Sequence, residues 1–358
     1  MNKLDRYIIV NYIKSFFLGM MMFFLIFLLA ESVKLTGWII DGKLNFSEGV
    51  KYLGYGVPEI ITNTAPLGIL LGSLLCISKM AKQLEISAMK TSGVSFLRIS
   101  LFPLIFSFIV SITVLYINYG LLGKYNTKKN IMKIEKIEES EPVKAEKEFV
   151  LVKTDKNTVL YSGYVNKNQG IMKNIQILIM DDDFSRISRI YTATEAELNT
   201  GSGEWLFKNL KEYNSETSLT TGVSGDSLKF KVPIDDILAD PVISKNLTMP
   251  ELREKIVYFS RVGADSIDLL IDFYYRISFA FAAFVMSFIG LSLGSRYVRG
   301  GAAVNIGLSV IIGYSYYGFS TILRTVAASG TIPVYMACFL PLIVYFIIGL
   351  KLFRDAEY

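Results

Sequence analysis

The sequence has no histidine and only two cysteines, Cys76 and Cys338. Without imidazole the chain lacks the commonest metal ligand and the commonest general base. Both cysteines sit inside apolar runs and the middle of the chain has none, so no disulfide, CxxC pair or zinc spacing can be drawn. They read as two small buried apolar side chains. No catalytic triad, paired carboxylate site or metal cluster emerges, which argues against an enzyme and calls for no cofactor. The formal net charge of +5 does not indicate nucleic acid either. Residues 124–265 hold 21 Lys and Arg against 22 Asp and Glu, and the basic excess lies instead at the edges of apolar runs.

What the chain does have is apolar length. Of its 358 residues 52% are hydrophobic, concentrated at both ends, with the charged residues crowded into the middle. A soluble chain of this composition would expose too much apolar surface. A helix crossing the bilayer needs roughly 20 apolar residues. Six segments meet that need: Phe16–Ala30 with its flanks, Ile60–Ser78, Ile99–Gly123, Ile277–Gly294, Ala302–Leu323 and Thr331–Leu350. A more polar turn at Leu269–Arg276 leads into the fourth. The first run is read as a retained span, not a cleaved signal peptide, because it is long and no A-x-A site follows it.

Basic residues orient these spans. With the N-terminus inside, eleven Lys and Arg, among them Lys3, Lys79, Lys82, Arg296 and Arg354, fall on cytoplasmic edges against four acids. The positive-inside rule places both termini in the cytoplasm and the middle of the chain outside. From Glu148 onward short alternating runs appear: Phe149–Lys153, Thr158–Tyr161, Ile175–Met180, Glu204–Phe207 and Leu228–Val232. Turn residues at Asp155–Asn157, Asn166–Gly170, Asp181–Asp183 and Gly201–Gly203 separate them, a pattern of an antiparallel sandwich or roll. Ile175 and Ile177 flank Gln176 and make one face apolar, as either a lipid slot or an ordinary core requires. Before the strands, Tyr125–Lys147 continues the third span as an amphipathic helix up to a turn at Pro142. After them, Thr248, Pro250 and Glu251 mark a capped helix over Thr248–Val262.

Several motifs invite a functional reading beside a plain one. Gly37 to Leu44 matches the spacing of a phosphate-binding P-loop, but Leu44 replaces the magnesium-holding Ser or Thr, so it is a chance match. Lys79–Ser95 joins spans two and three on the cytoplasmic side and predicts a short helix over Lys82–Thr91, with Gly93 as its C′ residue. Leu84 and Ala88 share one face and Ile86 and Met89 another, around the single carboxylate Glu85. Such a helix either docks into a groove on a soluble partner or lies unbound on the surface. Asp268, Asp272 and Arg276 share a face before span four. They either line a cavity or form an interfacial ion pair, Asp272 before Arg276 being the favoured order. Glu59 allows the same two readings. The pairs Gly68/Gly72 and Gly290/Gly294 permit close helix packing, within the chain or between subunits.

Three stretches together resemble the lipopolysaccharide-export permease family (LptF/LptG, the YjgP/YjgQ type). They are Leu4-Asp5-Arg6-Tyr7-Ile8, the run from Pro66 to Gly72, and Glu85 to Ser95, which is similar to the family's E-x-x-x-M-x-x-x-G-x-S. The opening stretch leans toward the LptG-like member. The resemblance implies an integral inner-membrane α-helical protein of three plus three spans with an inserted periplasmic antiparallel β-jellyroll. Its divisions are 1–123 with a coupling helix near 80–92, 124–265 as the β domain with flanking helices, and 266–358. It further implies a second homologous six-span subunit, a cytoplasmic ATPase dimer, a periplasmic jellyroll bridge protein, and lipopolysaccharide as substrate among the membrane lipids. Leu84, Glu85, Ala88, Met89 and Gly93 would form the ATPase-coupling site. Lys34 and Lys43, at the outer end of span one, would meet glycolipid phosphates, with Asp272 and Arg276 as further substrate candidates. Two other classes compete. A membrane anchor or sensor would carry a cytoplasmic output domain, whereas both cytoplasmic ends here are a few residues long. A lipoprotein-release or efflux-type permease usually places its outer domain after the first span, not the third.

Overall fold

A computed structural model describes residues 3–137, 146–155, 157–181, 186–199, 203–215, 219–223, 228, 230–234, 237, 244–262, 266–296 and 301–357. The chain forms two compact units. One comprises Met1–Glu138, Ser244–Arg253 and Ile267–Tyr358; the other comprises Glu139–Ile243 and Glu254–Ser266.

The first unit is the helical one. Six helices are long and apolar enough to cross a membrane. Span one is α1 (Lys3–Ile40) and span two is α2 (Phe46–Lys82). A short helix, α3 (Glu85–Thr91), leads to span three, built from α4 (Phe96–Tyr116), a π-helical turn (Ile117–Leu121) and α5 (Leu122–Lys136). The later helices are α6 (Met249–Val262), α7 (Ile267–Ala280), α8 (Ala282–Arg296), α9 (Gly301–Ala328) and α10 (Val334–Glu357). The spans outrun their apolar cores because Lys and Arg stems extend along helix ends while their charged heads stay wet. The polar approach Leu269–Arg276 is helical and belongs to α7, so Asp268, Asp272 and Arg276 do follow one another on a helix.

In hydrocarbon every freed backbone group needs a partner within the protein. Span four breaks at Phe281, and the Phe284 N–H donates to Ser111 Oγ of span three at 3.1 Å. Midway along the bundle the Tyr12 hydroxyl, fully buried, shares hydrogen bonds of 2.9 Å with Ser73 Oγ and Ser107 Oγ, linking spans one, two and three. The glycine pairs pack within the chain. A Cβ on Gly72 would stand 2.7 Å from the Phe16 Cα, and one on Gly290 would stand 2.6 Å from Ser73 Cβ and 2.8 Å from Leu70 O. Span two is thus wedged between spans one and four. Cys76 and Cys338 are both buried free thiols.

The second unit is an antiparallel sheet, β1 (Glu146–Asp155), β2 (Thr158–Asn166), β3 (Ile171–Met180), β4 (Ile187–Asn199), β5 (Glu204–Lys208), β6 (Lys211–Asn214) and β7 (Leu219–Gly222). It is a meander in the order β1-β2-β3-β4-β6-β7, with β5 also on β4. One edge of β4 pairs β5 through Glu195–Asn199 and β6 through Arg189–Thr192, and Asn209 (φ 57°) kinks the chain between those partners. Ile175 and Ile177 lie in the core with Trp205 and Phe207, which is the ordinary-core reading of that face. The run from Leu228, expected as a strand, is none at residues 230–232. It lies along β5, where Trp205 N donates to Phe230 O (3.0 Å) and Trp205 Nε1 to Val232 O (2.8 Å). The turn expected at Pro142 lies outside the described residues. The capped helix forms as α6, its Thr248 N–H donating to Glu251 Oε2 at 2.7 Å.

Candidate functional site

The helical unit has two ends. The turn end carries Asp41–Asn45 and Ser329–Pro333; the opposite end carries α3 with the start of α1 and the finish of α10.

At the α3 end, span two runs on to Lys82 and the helix expected over Lys82–Thr91 begins only at Glu85. Leu84 adopts a left-handed conformation (φ 62°) and turns the chain between the two helices. Gly93 (φ 83°) closes α3: its N–H donates to Lys90 O (2.9 Å) and Val94 N–H to Met89 O (3.0 Å), the paired bonds of a Schellman end. That geometry needs the left-handed residue which glycine supplies without a Cβ penalty. Ile86 is buried, and Met89 and Val94 pack beside it against the group around Phe96, Ile99 and Phe353. Leu84, Ser87, Ala88, Thr91 and Ser92 form the exposed face. Helical spacing sets Leu84 and Ala88 on one face and Ile86 and Met89 on another, whereas the family resemblance joins Leu84 and Met89 in one coupling site. The structure sorts Leu84 and Ala88 outward and turns Met89 toward the bundle.

Two contacts around α3 had no signal in local sequence. Tyr7 of span one donates to Glu85 Oε1 at 2.9 Å, while Glu85 Oε2 is buried without a partner. Lys90 donates to Ala356 O (2.5 Å) and Glu357 O (3.3 Å), and Glu357 Oε2 accepts from Leu97 N–H (3.0 Å). The ammonium satisfies carbonyls at the finish of α10, and the carboxylate satisfies an orphan donor at the start of α4. Through these bonds α3 is tied to spans one and six, and span six in turn to span three.

At the turn end a cavity of about 360 Å³ is lined by Glu59, Asn118, Asp272, Tyr275, Arg276 and Arg324, with Phe27, Leu67, Tyr314 and Tyr317 around them and Lys245 at its margin. Asp272 and Arg276 both reach it, but not as an ion pair with each other. The Arg276 guanidinium, 5% exposed, donates to Leu247 O (2.6 Å), Ser244 O (2.9 Å) and Lys245 O (3.2 Å). Asp272 accepts from the Ser244 hydroxyl. The expected ion pair is replaced because a returning segment 28 to 32 residues upstream offers carbonyls that fit the guanidinium fork. The π-helical turn places Asn118 so that its Nδ2 donates to Arg276 O at 3.0 Å. Thr127 Oγ1 donates to Asn246 O at 2.7 Å, and a Cβ on Gly123 would meet the Leu247 carbonyl at 2.5 Å.

With Arg276 occupied, Arg324 becomes the cation most directly presented to the cavity. It stacks 3.9 Å from the Tyr275 ring, and its Nε is buried with no partner. Arg324 lies inside α9, near its end. Lys34 and Lys43 do not line the cavity. Lys34 is exposed, and Lys43 Nζ donates to Ile137 O at 3.1 Å. The acid one turn before Lys34, Glu31, lies 3.7 Å from Lys129, which also stands 3.9 Å from Glu59. Gly37, the first glycine of the P-loop-like stretch, is inside α1, so no strand–loop–helix context exists there.

This arrangement of spans, α3 and inserted sheet has a counterpart among known proteins. The family model for the lipopolysaccharide export system permease LptF/LptG matches residues 6–355. The chain belongs to the LptF/LptG family. With six helices long and apolar enough to cross a membrane among its described residues, it is a multi-pass inner-membrane protein. The lipopolysaccharide export system permease proteins LptF of Escherichia coli K12 and of Shigella flexneri are each 31% identical to it over 90 residues. That stretch covers 25% of this chain and 25% of each relative. These relatives bear the LptF name, whereas the opening motif leans toward LptG; the family model joins both. Within this LptF/LptG chain, the Glu85–Ser95 stretch on which the resemblance rests forms α3 with its closing Gly93.

Proposed function

We propose that this chain is one permease subunit of an ATP-driven exporter that extracts lipopolysaccharide from the inner membrane and passes it to a periplasmic bridge. In this reading the α3 end faces the cytoplasm and the β region the periplasm. A partner ATPase dimer supplies hydrolysis, and a second homologous six-span subunit completes the pathway. The observation that carries the reading is α3 itself. It presents Leu84, Ser87 and Ala88 to solvent, holds a carboxylate with one unpartnered oxygen, and is bonded directly to spans one and six. A groove on the ATPase that grips the exposed face and supplies a cation to Glu85 would pull those spans together when it closes. The bonds from Lys90 and Glu357 make that motion reach span six without an intervening loop.

Substrate contact is assigned to the turn-end cavity. Arg324 and Lys245 present positive charge there, and Phe27, Leu67 and Tyr314 supply apolar wall. That pairing of cation and hydrocarbon suits a phosphorylated glycolipid. Lys34 remains an exposed basic group at the same end. Lys43 is a poorer phosphate ligand, because its ammonium is already spent on a carbonyl.

The test is affinity purification of the full chain from its native envelope in mild detergent. Recovery of a cytoplasmic ATPase together with a second six-span subunit is the expected result. Recovery of the chain alone, or with outer-side proteins only, would move the function to a membrane anchor or sensor.

A further inference from the structure

A second cavity, of about 480 Å³, opens at the α3 end of the helical unit, between α1, α2 and α9. Among the described residues its charged groups are Lys14, Lys79 and Lys82, all exposed, and no acid lines it. None of the three lysines has an ion-pair or hydrogen-bond partner among the described residues. Deeper in, Asn305 is only 4% exposed. Its Oδ1 accepts from Ser78 Oγ (3.3 Å), while its Nδ2 donates to no group among the described residues. The floor is apolar, formed by Leu18, Leu75 and Ile306.

Each of the three helices sorts these residues the same way along its axis. In α1, Lys14 precedes Leu18 by one turn. In α2, which runs in the opposite direction, Leu75 precedes Lys79 and Lys82 on one face. In α9, Gly301 and Ala302 stand at the mouth and Ile306 lies a turn deeper. The cavity therefore has a cationic rim, an unpartnered amide donor at mid-depth and a hydrocarbon floor. A phospholipid has the same polarity sequence, and basic pockets between spans on the cytoplasmic side recognise anionic head groups. A soluble anion would leave the floor bare, and an apolar side chain would leave three ammonium groups uncompensated.

We propose that this cavity is a binding site for an anionic phospholipid of the cytoplasmic leaflet, distinct from the lipid that is exported. Lys14, Lys79 and Lys82 hold the head-group phosphate, and one acyl chain lies along Leu18, Leu75 and Ile306. The site lies on the elements that flank α3, so its occupancy bears on how α2 is held at that end. The proposal rests on the cytoplasmic placement of α3.

The test titrates the purified full chain in detergent with phosphatidylglycerol and with phosphatidylcholine of the same acyl chains, counting bound lipid by native mass spectrometry at about 0.15 M salt. Phosphatidylglycerol is expected to bind about tenfold more tightly, as a few juxtaposed lysines at a membrane surface would give. The triple variant K14Q/K79Q/K82Q is expected to lose most of that preference, whereas K51Q/K124Q/K128Q, which removes three exposed lysines near the turn end, keeps it. If the triple variant does not fold, K14Q and K79Q singly are expected to lower the preference by about threefold each. Equal binding of the two lipids, or an unchanged preference in the lysine variants, overturns the proposal. Displacement of phosphatidylglycerol by millimolar inorganic phosphate overturns it in favour of a free-anion site. Cross-linking of K14C in native membranes to another protein chain, with no bound lipid recovered, overturns it in favour of a subunit contact. Labelling of K82C from outside intact cells overturns the cytoplasmic-leaflet assignment together with the orientation it rests on, even where the lipid preference in detergent persists.

Discussion

Spans two and four contrast with spans one, five and six. Within the most apolar stretch of each, 83% and 78% of residues are buried in spans two and four, against 17%, 22% and 28% in spans one, five and six. All five are apolar enough to enter a bilayer, so hydrophobicity does not decide which becomes the protein's own core. Small residues do. Gly68, Gly72 and Ser73 on span two, and Gly290, Gly294 and Ser292 on span four, let backbones approach to near contact. Span five also carries glycines, yet a Cβ on Gly307 or Gly318 would meet nothing within 4 Å. Phe17, Leu18 and Met21 on span one and Ile311 and Tyr314 on span five leave wide apolar faces open. Spans two and four are closed in by their neighbours, whereas spans one and five keep apolar faces uncovered.

The contrast can be broken most severely at Arg276. R276M leaves three part-buried carbonyls without their charged donor, and the loss of hydrogen bonds to a charged group costs about 1.5–3 kcal/mol each. Thermal unfolding in detergent is expected to show a large fall, with R276K restoring only part because an ammonium lacks the guanidinium fork. Wild-type stability for R276M would mean that the segment 244–248 is not held as described.

Overpacking the closed pair comes next. G290A drives a methyl against Ser73 and the Leu70 carbonyl, an effect of about 1–3 kcal/mol. G307A, the matched change on the open span, is expected to be neutral or slightly stabilising in the isolated chain. A bulky G307L sharpens the point. It should leave the isolated chain folded yet reduce co-purification of a second six-span subunit, if span five is where that subunit packs. The smallest expected effect is at Lys90. K90Q weakens bonds to the Ala356 and Glu357 carbonyls and a cation–ring contact at 5.6 Å to Phe96, about 1 kcal/mol for a half-buried group. Its stability loss should be small, while coupling between ATP hydrolysis and transport, read in reconstituted vesicles, should fall more.

How much of this was legible beforehand follows the range of the interactions. The six spans, the Gly93 helix end and the Thr248–Glu251 cap are written within a few residues of one another and were readable. Strand β4 was not singled out, because its buried Tyr191, Ala193 and Ala196 alternate with Thr and Glu in a weakly apolar run. Of the candidate substrate residues, Asp272 and Arg276 do reach a cavity, but their partners come from Ser244–Leu247, which no helical spacing could indicate. Lys129 bridges Glu31 and Glu59 across 98 and 70 residues of sequence, by the same reasoning invisible to local pattern. Arg324 lies inside α9, and local pattern gives no hint of the Tyr275 ring it stacks on.

The central claim, that α3 is the surface through which a cytoplasmic ATPase drives the closed pair of spans, is tested most directly by site-specific cross-linking. Cysteine is placed at Ala88 on the exposed face and, as a control, at Ile86 on the buried face, in membranes that hold the native assembly. The account predicts that A88C cross-links to a cytoplasmic ATPase, with a yield that changes on ATP binding, and that I86C does not. Equal or absent cross-linking from both positions, or labelling of A88C from outside intact cells, would contradict it.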